Sequence, residues 1–85
     1  MPSTSSRLAR KVCIITGTGG SIGRATAMAF ARAGASVVGC DATVEPAEST
    51  VEMVRGGGGS MVSMQPCRLD DPDDCQALVE LALAT

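Results

Sequence analysis

The sequence predicts an α/β fold in which three parallel strands alternate with three helices. Short apolar runs begin at Val12, Ala35 and Met61, and a longer segment with helical spacing of its apolar residues follows each run. Turn residues, mostly glycine, separate the strand-like runs from the helical segments. Strands that alternate with helical segments form right-handed crossovers, and such crossovers produce a parallel sheet.

Length and composition set the limits of the fold. The chain has 85 residues, 45% of them apolar, and a formal net charge of −2. This length allows one small domain, and the charge argues against nucleic acid as a partner because a nucleic-acid site needs a basic face. We expect a Ser/Thr-rich, disordered N-terminus over residues 1–7 and a folded unit over residues 8–85.

The chain shows no sign of a membrane or secretory segment. No apolar run approaches the roughly 20 residues of a membrane span, and the N-terminus has no apolar core of the kind found in signal peptides. We therefore expect a cytoplasmic protein without a membrane partner. The four cysteines contain no Cys-x-x-Cys pair, so we interpret them as reduced thiols in a core rather than as zinc ligands.

The first strand–helix pair has the clearest pattern. Residues 12–16 are apolar on both faces, which is typical of a buried parallel strand. A helix is predicted over residues 22–33, and Gly34 is in the position of a C-terminal helix stop. Three- and four-residue steps connect Ile22, Ala25, Ala29 and Ala33, and also Met28 and Ala31, and the alanines predict that this helix lies close to the sheet.

The later elements follow in the same order. A strand is predicted over residues 35–41, a helix over 46–55 and a strand over 61–67. Residues 56–60, Gly-Gly-Gly-Gly-Ser, fit either a natural helix-to-strand turn or an engineered linker, and the periodic pattern that resumes at once favours the turn. Acids at 70–74 with Pro72 indicate the start of a third helix that continues through 75–84.

The loop after the first strand has the pattern of a phosphate site. Residues 16–23 read Thr-Gly-Thr-Gly-Gly-Ser-Ile-Gly. Gly17 permits a tight turn, small residues let a phosphate approach the backbone, and the helix N-terminus offers unpaired N–H groups. The contacts that we expect for a dinucleotide cofactor come from Gly17, Thr18, Gly19, Gly20, Ser21, Ile22 and Gly23.

Asp41 stands at the end of the second predicted strand, 24 residues after Gly17. A carboxylate in that place accepts hydrogen bonds from a ribose 2′-hydroxyl and repels a 2′-phosphate. The alternative is an ordinary solvated acid at the end of a strand.

Residues 8–25 resemble the N-terminus of short-chain dehydrogenases/reductases. The family carries Thr-Gly-x-x-x-Gly-x-Gly here, and Thr16, Gly17 and Gly23 match it. Ser21 replaces the middle glycine, where it either caps the helix or hinders the close approach of phosphate, and Arg10 stands where a turn glycine is usual. The resemblance covers about residues 8–84 and implies a Rossmann-type three-layer fold, of which this chain would form a β-α-β-α-β-α part with strands in the order 3-2-1.

The resemblance also implies a cofactor. Family members with Asp at the position of Asp41 use NAD, whereas NADP users carry a basic residue at the position of Gly20 or Ala42, so we expect NAD and consider NADP less favoured. The family's adenine-contacting pair aligns with Arg68 and Leu69. A shifted alignment would use Asp70 instead; we prefer the first, in which Asp70 caps the third helix.

The catalytic residues that the resemblance implies are missing from this sequence. The family uses a Tyr-x-x-x-Lys pair with Ser and Asn, but the chain has no Tyr, no Asn and only one lysine, Lys11. One interpretation is an N-terminal fragment of an NAD-dependent oxidoreductase, whose first strand would be an exposed apolar edge until the rest of the fold or a homologous subunit covers it. The alternative is a non-catalytic half-Rossmann module, and a thiol-based redox protein is a third.

Overall fold

The computed structural model describes residues 7–85. The disorder predicted for the N-terminus lies outside the described residues, apart from Arg7, which opens a turn over residues 7–10. In that turn the Leu8 N–H donates to the Ala33 carbonyl at 2.7 Å. Arg10 has a φ of 65°, so a residue with a side chain adopts the left-handed conformation that favours glycine.

Three strands and three helices alternate along the chain, as predicted. They are β1 (Val12–Thr16), α1 (Ser21–Arg32), β2 (Ser36–Cys40), α2 (Val44–Gly56), β3 (Ser60–Met64) and α3 (Pro72–Ala84). The strands form a parallel sheet with β2 between β1 and β3, which confirms the order 3-2-1. In the register, Val12 pairs with Ser36 and Ser36 with Ser60.

The helices cover the two faces of the sheet unequally. The first apolar cluster, on the face under α1 and α2, consists of Ile15, Ala27, Ala35, Val37, Val54 and Met61. The second cluster lies on the opposite face and consists of Val38, Cys40, Cys67 and Leu78, with Leu78 supplied by α3. Two crossovers on one face and one helix on the other give the three layers of the fold.

The burial of β1 agrees with the exposed apolar edge expected of a partial sheet but not with a strand buried on both faces, and the apolar pattern of α1 predicts its packed face only in part. Val12 and Ile14 are 44% and 46% exposed, so β1 is buried on one face only. In α1, Ile22 is 81% exposed, whereas Ala27 is fully buried. Gly23 lies against the Gly17 carbonyl and thereby decides which face of the helix meets the sheet. Ala27 and Ala31, four and eight residues later, lie on that face.

Several predicted boundaries move by one to three residues, two of them for a clear physical reason. β3 ends at Met64 rather than at residue 67, because Pro66 has no amide hydrogen to continue the ladder. Asp70 does not cap α3; the cap is Asp71, whose Oδ1 accepts from the Asp73 N–H at 2.9 Å. Pro72 is the first residue of the helix, a position that proline favours, and this puts the cap one residue later than predicted.

The glycine run forms the predicted turn between α2 and β3. Gly57 caps the helix, and Gly58 has a φ of 89°. A Cβ atom on Gly59 would lie 3.0 Å from side-chain atoms of both Ala31 and Val54. Within residues 7–85, no helix is long and apolar enough to cross a membrane.

Candidate functional site

The glycine loop, residues 17–20, connects β1 to α1 at the carboxyl edge of the sheet. Its backbone turns at Gly17, where φ is 70°. The N–H groups of Gly17 and Thr18 both donate to the Cys40 carbonyl, at 2.9 and 3.2 Å, and the Gly20 N–H donates back to the Gly17 carbonyl at 3.1 Å. The loop therefore lies against the end of β2.

Two positions of the motif leave no room for a side chain. A Cβ atom on Gly23 would collide with the Gly17 carbonyl, so this glycine brings α1 close to the end of β1. A Cβ atom on Gly19 would lie 2.9 Å from Asp41 Oδ2 and 2.9 Å from Pro46 Cβ. The close approach that the sequence predicts at Gly23 is present, and a second one exists at Gly19.

The start of α1 is open at the surface. Gly20 is the N-cap residue and makes no side-chain cap, Ser21 is the first helical residue, and the first turn contains no acid. Ser21 therefore does not cap the helix. The first N–H groups of an α-helix have no partner within the helix and form the positive end of its dipole, so this terminus can receive an anion.

Asp41 lies beside the loop, and both oxygens of its carboxylate accept hydrogen bonds. Its Oδ2 accepts from the Gly19 N–H at 2.6 Å, and its Oδ1 accepts from the N–H and the hydroxyl of Thr43, both at 2.8 Å. The hydrogen bond from the Thr43 N–H is the main reason that the pKa of Asp41 is lowered from 3.8. The carboxylate is ionised at neutral pH, and Oδ2, which accepts only one of these bonds, keeps capacity for a further hydrogen bond.

A cleft of about 410 Å³ opens beside Asp41, between the loops that follow β1, β2 and β3. It is lined by Gly17, Cys40, Asp41, Ala42, Cys67, Arg68, Leu69 and Asp70. The structure thus brings four of the predicted residues to one cavity: Gly17, Asp41, Arg68 and Leu69. Residues 18–23 lie next to this cavity, in the loop and the helix start.

The far wall of the cleft belongs to the loop after β3. Arg68 forms an exposed ion pair with Asp70, with 2.9 Å between its guanidinium and the carboxylate. The Arg68 N–H donates to Asp74 at 2.8 Å, and Leu69 is half exposed. Because Asp70 lines the cleft together with Arg68 and Leu69, both alignments considered from the sequence place a residue at this wall.

Two cysteines that no sequence motif singles out form part of the cleft floor. Cys40 and Cys67 are buried, and burial is the main cause that raises the pKa of Cys40 to about 11. A neutral thiol is a poor nucleophile, so Cys40 acts as part of an apolar floor, beside Cys67 in the second cluster. In the described part of the chain, no group of three or more His, Cys, Asp or Glu side chains could hold a metal ion.

Two residues beneath the loop were missed, Thr50 and Arg24. Thr50 is fully buried and donates to the Thr18 carbonyl, and Arg24 donates to the Thr50 hydroxyl oxygen. No spacing rule points to a threonine in the middle of a helix. Thr18 itself was predicted as a cofactor contact, and the structure buries its side chain fully. The buried hydrogen bonds appear only when α2 is packed beside α1.

The geometry matches a known family. A family model described as short chain dehydrogenase matches residues 11–85. The chain belongs to the short-chain dehydrogenase family. Its membership agrees with the parallel sheet and with the position of the glycine loop at the start of α1.

Individual relatives agree with this assignment. Cyclohexanol dehydrogenase of an Acinetobacter species is 36% identical over 81 residues, which are 95% of this chain and 32% of the relative. The 7alpha-hydroxysteroid dehydrogenase of Escherichia coli K12 is 35% identical over 82 residues, 96% of this chain and 32% of that protein. The chain spans about a third of the length of these curated relatives.

Solved structures show the same fold. A 7 alpha-hydroxysteroid dehydrogenase complexed with NADH and 7-oxo glycochenodeoxycholic acid has a TM-score of 0.88 and 34% identity, covering 99% of this chain and 32% of that one. A metagenomic short-chain oxidoreductase in complex with NADP has a TM-score of 0.84 and 30% identity, covering 93% and 35%. Similar structures therefore include one with each form of the nicotinamide cofactor.

Proposed function

We propose that this chain is the dinucleotide-binding part of a short-chain dehydrogenase/reductase and that it prefers NAD to NADP. The observation that carries the proposal is the ionised carboxylate of Asp41, fixed against the glycine loop at the wall of the cleft. A 2′-phosphate placed there would meet a negative charge, whereas a free ribose hydroxyl would meet a hydrogen-bond acceptor.

The residues of the carboxyl edge fit a dinucleotide. The absence of a side chain at Gly19 lets the loop lie close to Asp41 and the start of α2, and its absence at Gly23 lets α1 lie close to the loop, which leaves the outer side of the loop to the ligand. The pyrophosphate would lie at the N-terminus of α1, over the loop and helix start formed by residues 17–23, where unpaired N–H groups and the helix dipole attract it. The cleft between Asp41 and Leu69 would receive the adenosine.

The predicted contacts at the cleft differ in what they can do. Asp41 accepts from the ribose hydroxyls, and Leu69 packs against the adenine ring. Arg68, at the same wall, cannot accept a hydrogen bond from the adenine amino group, but Asp70 beside it can. The bound nicotinamide supplies hydride transfer; the residues of this chain bind and orient the cofactor.

Turnover needs groups that this sequence lacks. The chain contains no Tyr and no His, and its single lysine is Lys11, which precedes β1 at the opposite edge of the sheet from the glycine loop. We infer that catalytic residues and substrate contacts come from outside residues 1–85, from further sequence or from a homologous subunit. The exposed apolar side chains of β1 are a suitable place for such an addition.

Calorimetric titration of the chain with NAD⁺ and NADP⁺ tests the proposal. We expect NAD⁺ to bind more tightly than NADP⁺. Replacing Asp41 by Ala should weaken NAD⁺ binding about tenfold or more, since a hydrogen bond to a charged group is lost, and should improve NADP⁺ binding. Asp41→Asn removes the charge but keeps an acceptor, so it should recover NADP⁺ binding with a smaller loss for NAD⁺.

A matched control changes the same charge away from the cleft. Asp73 lies in the first turn of α3 and does not line the cavity, so Asp73→Asn should leave both affinities unchanged. Equal affinities for NAD⁺ and NADP⁺ that do not respond to Asp41→Ala would contradict the preference. Absence of binding by the folded chain, checked by circular dichroism, would contradict the site itself.

A further inference from the structure

A set of three hydrogen bonds, the one nearest the loop fully buried, lies beneath the glycine loop. The hydroxyl of Thr50, in α2, donates to the Thr18 carbonyl at 2.6 Å. Arg24, in α1, donates from Nε to the Thr50 hydroxyl oxygen at 2.9 Å. Its terminal nitrogen donates to the Pro46 carbonyl, also at 2.9 Å. These bonds connect both helices to one peptide of the loop.

That peptide, between Thr18 and Gly19, is held at both ends. Its carbonyl accepts from Thr50, and its N–H donates to Asp41 Oδ2 at 2.6 Å. A peptide next to glycine flips more easily than others, because glycine can enter conformations that side chains exclude. With one contact on each side, this peptide keeps its N–H toward Asp41 and its carbonyl toward α2.

Arg24 determines where the Thr50 hydroxyl points. A threonine in a helix commonly donates to the carbonyl four residues earlier, and Thr50 lies 3.2 Å from that carbonyl, on Pro46. Here Arg24 already donates to Pro46, and it also donates to the hydroxyl oxygen. The single hydroxyl hydrogen is directed to the Thr18 carbonyl, which is the nearer acceptor at 2.6 Å.

We propose that Thr50, oriented by Arg24, is a positioning residue that fixes the Thr18–Gly19 peptide and thereby shapes the loop that receives pyrophosphate. Thr50 touches no ligand in this scheme; it acts through the Thr18 carbonyl. The part of this proposal that concerns pyrophosphate rests on the proposed dinucleotide function. The part that concerns the loop stands on the hydrogen bonds alone.

The test uses Thr50→Val, which keeps the shape of the side chain and removes the hydroxyl. We expect Thr50→Val to weaken ADP binding about tenfold, because the buried Thr18 carbonyl loses its partner and the loop leaves its binding conformation. Adenosine, which has no phosphate, should bind almost as it does to the parent chain. Thr50→Ser should restore ADP binding, and Arg24→Met should give an intermediate loss.

The control is Thr26→Val. Thr26 is also a helical threonine whose hydroxyl donates to a carbonyl four residues earlier, on Ile22, but it does not touch the loop. The Thr26→Val chain should bind ADP as tightly as the parent chain does. Equal losses for ADP and adenosine in Thr50→Val, or no rescue by Thr50→Ser, would indicate a merely structural hydroxyl and overturn the proposal.

Amide hydrogen exchange of the ligand-free chain separates this proposal from the proposed function. We expect the Gly19 amide to exchange faster in Thr50→Val than in Thr26→Val, whether or not any nucleotide binds. If the parent chain binds neither ADP nor NAD⁺, the proposed function fails and the exchange rates decide the role of Thr50. Equal Gly19 exchange in the two variants overturns the proposal.

Discussion

The two faces of the sheet differ sharply although the same strands form both. Ile14 and Ile15 are neighbours in β1, yet Ile14 is 46% exposed and Ile15 only 8%. Ile15 lies under α1 and α2, whereas Ile14 lies on the face that carries α3 alone. The difference shows that the burial of an apolar strand depends on the helices that pack on each face. The composition of the strand alone does not reveal how many helices cover a face.

Polar contacts follow the same division. The hydrogen bonds that fix the glycine loop come from Asp41, Thr50 and, through Thr50, Arg24, so they tie the loop to β2 and to the two helices of the first face. α3 is joined to the second face by a small apolar cluster and begins with its own cap at Asp71. The better-covered face therefore carries both the main core and the supports of the candidate site.

The largest expected effect comes from truncating the two isoleucines. Ile15→Ala should lower the free energy of unfolding by about 2–5 kcal/mol, since it opens a cavity in the main core. Ile14→Ala should cost less than about 1 kcal/mol, since the side chain is already half in water. Urea unfolding followed by circular dichroism measures both, and similar losses would show that the two faces are equally packed.

A smaller effect is expected at the start of α3. Asp71→Ala should lower the free energy of unfolding by about 1 kcal/mol, because the N-terminal amide of Asp73 loses its cap. Asp70→Ala removes only an exposed ion pair with Arg68, so it should lower the free energy of unfolding by only about 0.3 kcal/mol. Thermal unfolding of the two variants distinguishes them. A larger loss of stability in Asp70→Ala would mean that Asp70 caps the helix, as the sequence predicted.

The smallest expected effect is a pH dependence at Asp41. Its pKa in the folded chain lies below 3.8, so its stabilising contribution is complete above that value and is lost as pH falls through the folded pKa. Asp41→Asn should be less stable than the parent at neutral pH by under about 1 kcal/mol, since the carboxylate is partly solvated. The difference should close well below pH 3.8 in thermal unfolding, and a constant difference would mean that the charge plays no part.

Much of the fold and of the site follows from local sequence. The strand order and the dinucleotide interpretation rest on the resemblance carried by Thr16, Gly17 and Gly23, and the elements follow from apolar period and turn residues. The packed face of α1 could not be predicted, because Gly23 decides how the helix rotates and a glycine adds nothing to an apolar pattern. Thr50 could not be found either, since its importance depends on a neighbour 32 residues away.

The register of the sheet has a consequence for how the loops at its carboxyl edge can be changed. From Val12 to Ser36 and from Ser36 to Ser60 the chain advances in two equal steps of 24 residues. Thr16, Cys40 and Met64 therefore end their strands on one level, and Gly17, Asp41 and Gln65 start three loops from a common line. Because the loops start side by side, they also bond to one another: the Gly19 and Cys67 amides both donate to Asp41. Exchanging the loop after β2 would therefore remove a support from the loops on either side of it.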